Sequence, residues 1–172
     1  MRWLSILPLL IAPLADAADF RVLDFGSSCA TVNELEASLG SVQIPWSKVS
    51  PDLHTFSGRA FDRQVSIVYL CPRGNFEVGN YFFASQSPDD AVKTYRQLHD
   101  ALVVEYGVPY IDNSPWQANA DTIDPRSIAS DPSKYIVAWR DERTHRTMAF
   151  RRDDEATSAN WSVAITVGRR KL

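Results

Sequence analysis

The side chains that most often carry chemistry in proteins are few and widely spaced in this sequence. The histidines are His54, His99 and His145, and the cysteines are Cys29 and Cys71. No histidine has the short spacing to another His, Cys or Asp that zinc sites show, so the sequence predicts no metal site and no cofactor. The chain also lacks a glycine-rich phosphate loop, a dinucleotide fingerprint and a Gly-x-Ser-x-Gly elbow. We expect no catalytic residue and favour a binding role.

An enzyme with unrecognised catalytic residues remains the main alternative. The chain has 21 Asp and Glu residues, and a carboxylate pair for glycoside hydrolysis would be set by distances in space, which spacing does not reveal. His99 falls in a predicted helix, where a packed histidine is the simpler interpretation. An envelope hydrolase, and a structural component of envelope assembly, are therefore kept as alternatives.

The strongest candidate for a binding site is a long loop over residues 108–133. It contains four prolines and no hydrophobic periodicity, and loops of this length in compact domains tend to be functional or disordered. Its candidate binding residues are Tyr110, Asp112, Asn113 and Trp116, because aromatic side chains on a loop suit an interface hot spot. Packing of Trp116 against the sheet is an equally good interpretation. The acidic residues of the loop do not follow the EF-hand spacing, and turn formation explains them more simply.

The two cysteines predict one disulfide, Cys29–Cys71. The expectation depends on export, because disulfides persist in oxidising compartments. A nucleophilic Cys29 near a helix start is the alternative, since a helix N-terminus stabilises a thiolate.

The N-terminal residues predict export. Residues 1–17 combine Arg2, an apolar run and the triplet Ala15-Asp16-Ala17, which is the pattern of a cleaved secretory signal. The run is too short to span a bilayer, and no later segment is long and apolar enough to do so. We expect a periplasmic or secreted protein whose mature part, residues 18–172, is a single domain.

The charge disfavours a nucleic-acid partner. The formal net charge is −3, whereas nucleic-acid binding needs a concentrated basic surface. The last third is nonetheless rich in basic residues, and an electropositive edge there would suit an acidic protein surface or an anionic envelope component. The ordinary charged edge of a sheet explains it as well. The basic residues are Arg140, Arg143, Arg146, Arg151, Arg152, Arg169, Arg170 and Lys171.

Hydrophobic periodicity predicts an α+β domain with two helices packed on an antiparallel sheet of about six strands. Ser87, Pro88 and Gly107 mark the start and end of the second helix, and Ser28 or Thr31 could cap the first, with Thr31 and Glu34 as a capping box. Two similar halves are compatible with this order. The predicted helices cover residues 26–40 and 88–106, and the predicted strands cover residues 56–61, 64–71, 76–84, 135–140, 146–151 and 161–167.

The first predicted helix carries a resemblance to a known family. Its segment, residues 23–40, has Gly26 and Ser28, then Leu35, and ends in Leu39-Gly40. It resembles small bacterial envelope proteins of the β-lactamase-inhibitor-like class, including assembly lipoproteins of the SmpA/OmlA kind. This sequence differs in lacking a lipidated cysteine. The resemblance implies a sheet with helices on one face and a protein partner, and an inhibitor or immunity protein against a cell-wall-directed toxin fits it.

The export prediction can be checked on the protein recovered from outside the cytoplasm. We expect a mature chain that begins at Ala18 and carries no free thiol. Intact mass spectrometry with and without reduction measures both properties. A recovered chain that retains residues 1–17 would contradict the prediction.

Overall fold

Two helices and eight strands follow one another along the chain in an order that occurs twice. The computed structural model describes residues 18–21, 23–45, 50–116, 134–153 and 160–170. The predicted signal segment and residues 117–133 of the predicted loop lie outside this part of the chain. The described elements are α1 (Val32–Ser38), β1 (Val42–Gln43), β2 (Leu53–Ala60), β3 (Arg63–Leu70), β4 (Val78–Ser85), α2 (Pro88–Tyr106), β5 (Ile111–Asp112), β6 (Ile136–Arg140), β7 (Thr144–Asp153) and β8 (Asn160–Arg169).

The strands form one antiparallel sheet with the order β1-β2-β3-β4-β8-β7-β6-β5. Each half is therefore a helix followed by a four-stranded meander, and the last strands of the two halves pair at the centre of the sheet. This pairing runs from Val78 opposite Gly168 to Ser85 opposite Trp161. The α+β class and the antiparallel sheet are confirmed, and the number of strands is eight rather than about six.

The two strands that the sequence did not predict are β1 and β5, at the two outer edges of the sheet. Each has only two residues, which is too short for an alternating pattern to be recognised. The first part of the predicted loop is therefore regular structure. Residues 111–112 pair with β6, and Ile111 lies opposite Ala138.

Helix α2 follows its sequence signals closely. Its N-cap Ser87 accepts a hydrogen bond from the backbone N of Asp90 at 3.1 Å. It ends at Gly107, whose φ of 79° is a left-handed value that glycine adopts without strain. Ala91, Tyr95, Leu98 and Leu102 are buried against the sheet, whereas Tyr106 is half exposed.

Helix α1 is shorter than predicted. A 3₁₀ turn occupies Cys29–Thr31, and the α-helix covers seven residues. Ser28 caps the turn by accepting from the backbone N of Ala30, while the side chain of Thr31 makes no capping bond, so the predicted Thr31–Glu34 capping box is wrong. The predicted disulfide is confirmed: Cys29 at this turn is bonded to Cys71 after β3.

The core lies between the helices and one face of the sheet. One row of buried or half-buried side chains crosses six strands, and each residue of the row is the cross-strand partner of the next one. Tyr95 of α2 stacks on Phe150 of β7 with ring centroids 4.3 Å apart, which fixes the helix to this face. The row consists of Phe56, Ile67, Tyr81, Ile165, Met148 and Val137.

Residues 18–21 and 23–25, here called the N-terminal segment, contact both halves of the molecule. Phe20 is buried against Tyr69 and Tyr81 of the first half. Arg143, in the turn between β6 and β7, reaches Asp19 at 2.9 Å and Asp24 at 3.3 Å. The segment therefore joins the first half of the sheet to a turn of the second half.

The ring of Phe20 occupies the space that Gly79 leaves open. A Cβ at Gly79 would collide with that ring, whereas a Cβ at Gly168 would meet nothing within 4 Å. We expect Gly79→Ala to lower the free energy of unfolding by about 1–3 kcal/mol, because the ring must move out of a packed core. Denaturant unfolding measures the change, and Gly168→Ala on the neighbouring strand is the control. Equal stability of the two variants would show that Phe20 is not packed as described.

Candidate functional site

The predicted binding residues have different surroundings. Tyr110 is exposed and contacts Arg140 and His145. Asp112 of β5 is half-buried, Asn113 is exposed, and Trp116 is half-buried. The backbone N of Asn113 donates to the carbonyl of Ile136 at 3.0 Å, so its main chain continues the pairing of β5 with β6.

Trp116 packs on helix α2, at the margin of the hydrophobic core. Its ring meets Tyr95 and His99 edge-on, with centroids 5.6 and 5.1 Å away. The guanidinium of Arg96 lies 5.1 Å above the same ring. Because both the edge and a face of the indole are occupied, Trp116 covers the helix.

Asp112 lies between a serine and a histidine. Its Oδ1 accepts from the backbone N of Ser114 at 3.0 Å and from the Ser114 hydroxyl, and its Oδ2 lies 3.4 Å from Nε2 of His99. In nucleophilic catalysis the histidine must stand between the hydroxyl and the carboxylate, so that it can remove the hydroxyl proton. Here the carboxylate stands in the middle, and the geometry does not activate Ser114.

Tyr110 belongs to a second group, here called the basic cluster, which consists of Tyr110, Arg140, His145, Arg169 and Arg170. The guanidinium of Arg140 lies 4.6 Å above the Tyr110 ring, and the Tyr110 hydroxyl is 2.8 Å from Nε2 of His145. The five residues line a cavity of about 240 Å³. None of the described residues that line this cavity is acidic.

The register of β6, β7 and β8 assembles the basic cluster. Arg140 is the cross-strand partner of His145, and Gly168 lies opposite His145 on the other side. The chain after β8 is held in place because the backbone N of Arg170 donates to the carbonyl of Arg143 at 2.9 Å. Four basic side chains from distant parts of the sequence therefore meet at one end of the sheet.

The structure divides the basic residues of the C-terminal third into groups with different surroundings. Arg143 is paired with Asp19 and Asp24, and Arg146 is paired with Asp141 at 2.6 Å. Arg151 is exposed at the opposite end of β7. Arg140, Arg169 and Arg170 meet His145 around a cavity whose described lining contains no carboxylate.

A row of exposed apolar side chains runs from the end of α2 to β5. Val104 and Val108 are 88% and 89% exposed, and Tyr110 and Ile111 are 44% and 39% exposed. We call these four residues the apolar row. The apolar row lies beside the basic cluster, because Tyr110 belongs to both.

A larger cleft of about 590 Å³ lies between the N-terminal segment, the end of α2 and the turn before β7. The arginines that line it are bonded internally: Arg21 contacts Glu36 at 2.6 Å, and Arg143 and Arg146 are paired as described above. Burial raises the pKa of Tyr81 in the cleft wall to about 12, so its hydroxyl stays protonated at neutral pH. These groups stabilise one another and offer no obvious set of free partners for a ligand.

Glu36 anchors the inner side of this cleft and is fully buried. Its Oε1 accepts from Nε of Arg21 and from the hydroxyl of Tyr69. Burial and the hydrogen bond to Glu36 raise the pKa of Tyr69 well above its usual range, so the hydroxyl remains a donor. Pairing with Arg21 and Tyr69 stabilises the buried charge at Oε1. The other carboxylate oxygen, Oε2, is buried and has no hydrogen-bond partner among the described residues.

Comparisons with known proteins give no relative for this chain: no family model matches it, and neither a curated protein nor a solved structure is significantly similar. Within the described residues, no group of three or more His, Cys, Asp or Glu side chains is arranged to hold a metal ion. In the same part of the chain, no helix is both long and apolar enough to cross a membrane. The apolar row and the basic cluster, which share Tyr110, are the two surfaces that suggest a function.

Sequence reasoning found Tyr110 but not its neighbours. The sequence indicates Arg140, Arg169 and Arg170 only as members of a basic C-terminal third, and it gives no reason to group His145 with Tyr110. His145 lies in β7 and contacts Tyr110. Spacing could not reveal this contact, because 35 residues separate the two side chains and only the sheet register brings them together.

Asp141 organises the turn between β6 and β7, and the charge of its carboxylate contributes to the stability of that turn. Partial burial opposes ionisation, but hydrogen bonds from Thr144 and Arg146 outweigh it and hold the pKa of Asp141 well below its usual range. A carboxyl group with a lowered pKa stabilises the folded chain above about pH 4, and this stabilisation is lost as the pH falls through the folded-state pKa.

We expect Asp141→Asn to lower the free energy of unfolding at pH 7 by about 1 kcal/mol, a figure already reduced for solvent screening of a half-exposed group. The difference from the unsubstituted chain should shrink below about pH 4. Thermal unfolding across this pH range measures it, with Glu142→Gln at the exposed neighbouring position as control. A difference that is independent of pH would contradict the electrostatic explanation.

Proposed function

We propose that the mature chain is a non-enzymatic binding protein of the periplasm, or of another oxidising compartment outside the cytoplasm, and that it recognises another protein. The apolar row is the observation that carries this proposal. Four large apolar side chains are exposed within eight consecutive residues, and exposed apolar surface concentrated in one region is typical of protein interfaces.

The scaffold behind the apolar row supports the same proposal. The row is fixed at both ends, because Gly107 donates to Val103 at the end of α2 and Tyr110 donates to Ala138 of β6, at 2.9 and 3.0 Å. Trp139 adds a bond from its indole Nε1 to the carbonyl of Gly107 at 2.9 Å. A surface held in one conformation loses little conformational entropy on binding, which favours affinity.

The location proposal is supported by the disulfide. The Cys29–Cys71 bond fits an oxidising compartment, in agreement with the predicted secretory signal. Within this class, an inhibitor or immunity protein that acts on a cell-wall-directed toxin is the specific form that we propose. The absence of an activated nucleophile at Ser114 agrees with a binding role.

Substitution of the apolar row tests the proposal. With the disulfide-intact mature chain as bait in periplasmic and secreted extracts, we expect one stoichiometric partner that resists salt. Val108→Asp combined with Tyr110→Ala should weaken its capture by at least about tenfold, because it removes the apolar centre of the interface and buries a charge there.

The control for this experiment is Val42→Asp. Val42 is 68% exposed on β1, at the opposite edge of the same sheet, so the substitution adds the same charge at another exposed valine. Capture should be unchanged by this variant. Equal loss with both variants, or no partner in either extract, would contradict protein recognition through the apolar row.

A further inference from the structure

We propose that the basic cluster is the anchor point for a carboxylate-bearing segment of the partner, so that the partner presents Asp or Glu side chains beside an apolar patch. This inference rests on the proposed function and specifies the chemistry of the partner. It assigns the cavity lined by Tyr110, Arg140, His145, Arg169 and Arg170 as an oxyanion site.

The charge around the cavity is uncompensated. Three guanidinium groups and one imidazole surround it, and no described residue in its lining is acidic. A neighbouring cavity shares Arg169 and Arg170 and also contains Asp19 and Glu142. Asp19 is already engaged by Arg143, and among the described residues no ion pair joins Glu142 to either arginine. The remaining positive charge favours an anionic ligand.

The side chains of the cluster are oriented by contacts that leave their charge intact. Arg140 lies over the ring of Tyr110, Tyr110 contacts His145, and Arg170 donates from Nη1 to the carbonyl of Asp141 at 3.0 Å. An aromatic face, an imidazole and a backbone carbonyl carry no full negative charge. The guanidinium groups of Arg140 and Arg170 are therefore held by groups that do not neutralise them, which reduces the entropy that binding would cost.

The size of the cavity and its surroundings favour a protein carboxylate. A volume of about 240 Å³ is smaller than the roughly 300–1,000 Å³ of typical small-molecule pockets, so it suits a single head group. Guanidinium groups bind carboxylates through two parallel hydrogen bonds. Tyr110 connects the cavity to the apolar row, and an arginine-rich pocket beside exposed apolar side chains is the composition of an interface hot spot.

Defined probes test the inference directly. We would titrate the full mature chain with a capped hexaglutamate peptide and, separately, with the matching hexaglutamine peptide, and follow backbone amide shifts by NMR. We expect hexaglutamate to bind with a dissociation constant of about 1 mM or tighter. Added salt should weaken it. The amide shifts should centre on Tyr110, His145 and Arg170, and hexaglutamine should leave the spectrum unchanged.

Two variants separate this site from diffuse electrostatic attraction. Arg140→Ala with Arg169→Ala should weaken hexaglutamate binding by about tenfold or more, because two guanidinium partners are removed. Arg151→Ala is the matched control, since Arg151 is an exposed arginine of β7 at the other end of the strand. The single variant Arg169→Gln, at an exposed position, serves if the double variant unfolds, and it too should weaken binding.

The outcomes also separate this inference from the proposed function. Equal weakening by Arg151→Ala, or no shift with hexaglutamate, would overturn the oxyanion site, even if the apolar-row variants still lose the partner. The cluster could instead show shifts with inorganic phosphate or with vesicles containing anionic lipid, but none with hexaglutamate. That result would assign the site to phosphate groups and overturn the proposal that it binds a carboxylate. The apolar-row variant Val108→Asp could retain hexaglutamate binding while no partner is captured from either extract. That result would support the oxyanion site and overturn the protein-recognition function.

Discussion

The pairing of β4 with β8 is the constraint on which the rest of the structure depends. Each half of the chain is a helix and a four-stranded meander. A meander by itself would leave both of its edge strands unpaired. The eight-residue register from Val78 to Ser85 against β8 removes both inner edges and leaves only β1 and β5 outside. Because β1 and β5 have two residues each, the exposed edges are short, which limits unwanted strand pairing.

This central pairing also determines where the functional surfaces lie. The chain leaves β4 at the centre of the sheet and must reach β5 at its edge, and α2 spans this distance across the helix-bearing face. The end of α2 consequently delivers Val104 and Val108 to the edge, where they are exposed. The register of β6 and β7 then places Arg140 and His145 beside Tyr110. The apolar row and the basic cluster are thus neighbours for topological reasons.

The N-terminal segment adds a second link between the halves and influences the charge of the surface. Phe20 fills the space above Gly79 in the first half, while Asp19 and Asp24 engage Arg143 in the second half. The same ion pairs neutralise Arg143, which lines a neighbouring cavity together with Arg169 and Arg170. The turn between β6 and β7 therefore adds little positive charge to the cavity around Tyr110.

Local signals in the sequence were sufficient for the elements that have strong boundaries or a regular pattern. Ser87, Pro88 and Gly107 defined α2, because capping depends on a few adjacent residues, and alternating or continuous apolar runs between turn signals predicted six of the eight strands. The disulfide followed from there being only two cysteines. Local signals failed where elements are short: β1 and β5 have two residues each, and a three-residue 3₁₀ turn directly precedes the seven-residue helix α1.

The candidate site shows the same division. The sequence singled out Tyr110 and Trp116 by residue type alone, and it identified a basic C-terminal third. It could not tell that Trp116 covers α2 while Tyr110 is exposed, nor which arginines have a carboxylate partner among the described residues. Burial and ion pairing depend on which distant residues the sheet register brings within a few ångströms. The amino-acid sequence determined the elements and the kinds of side chain available, and tertiary structure alone decided which of them form the proposed binding surface.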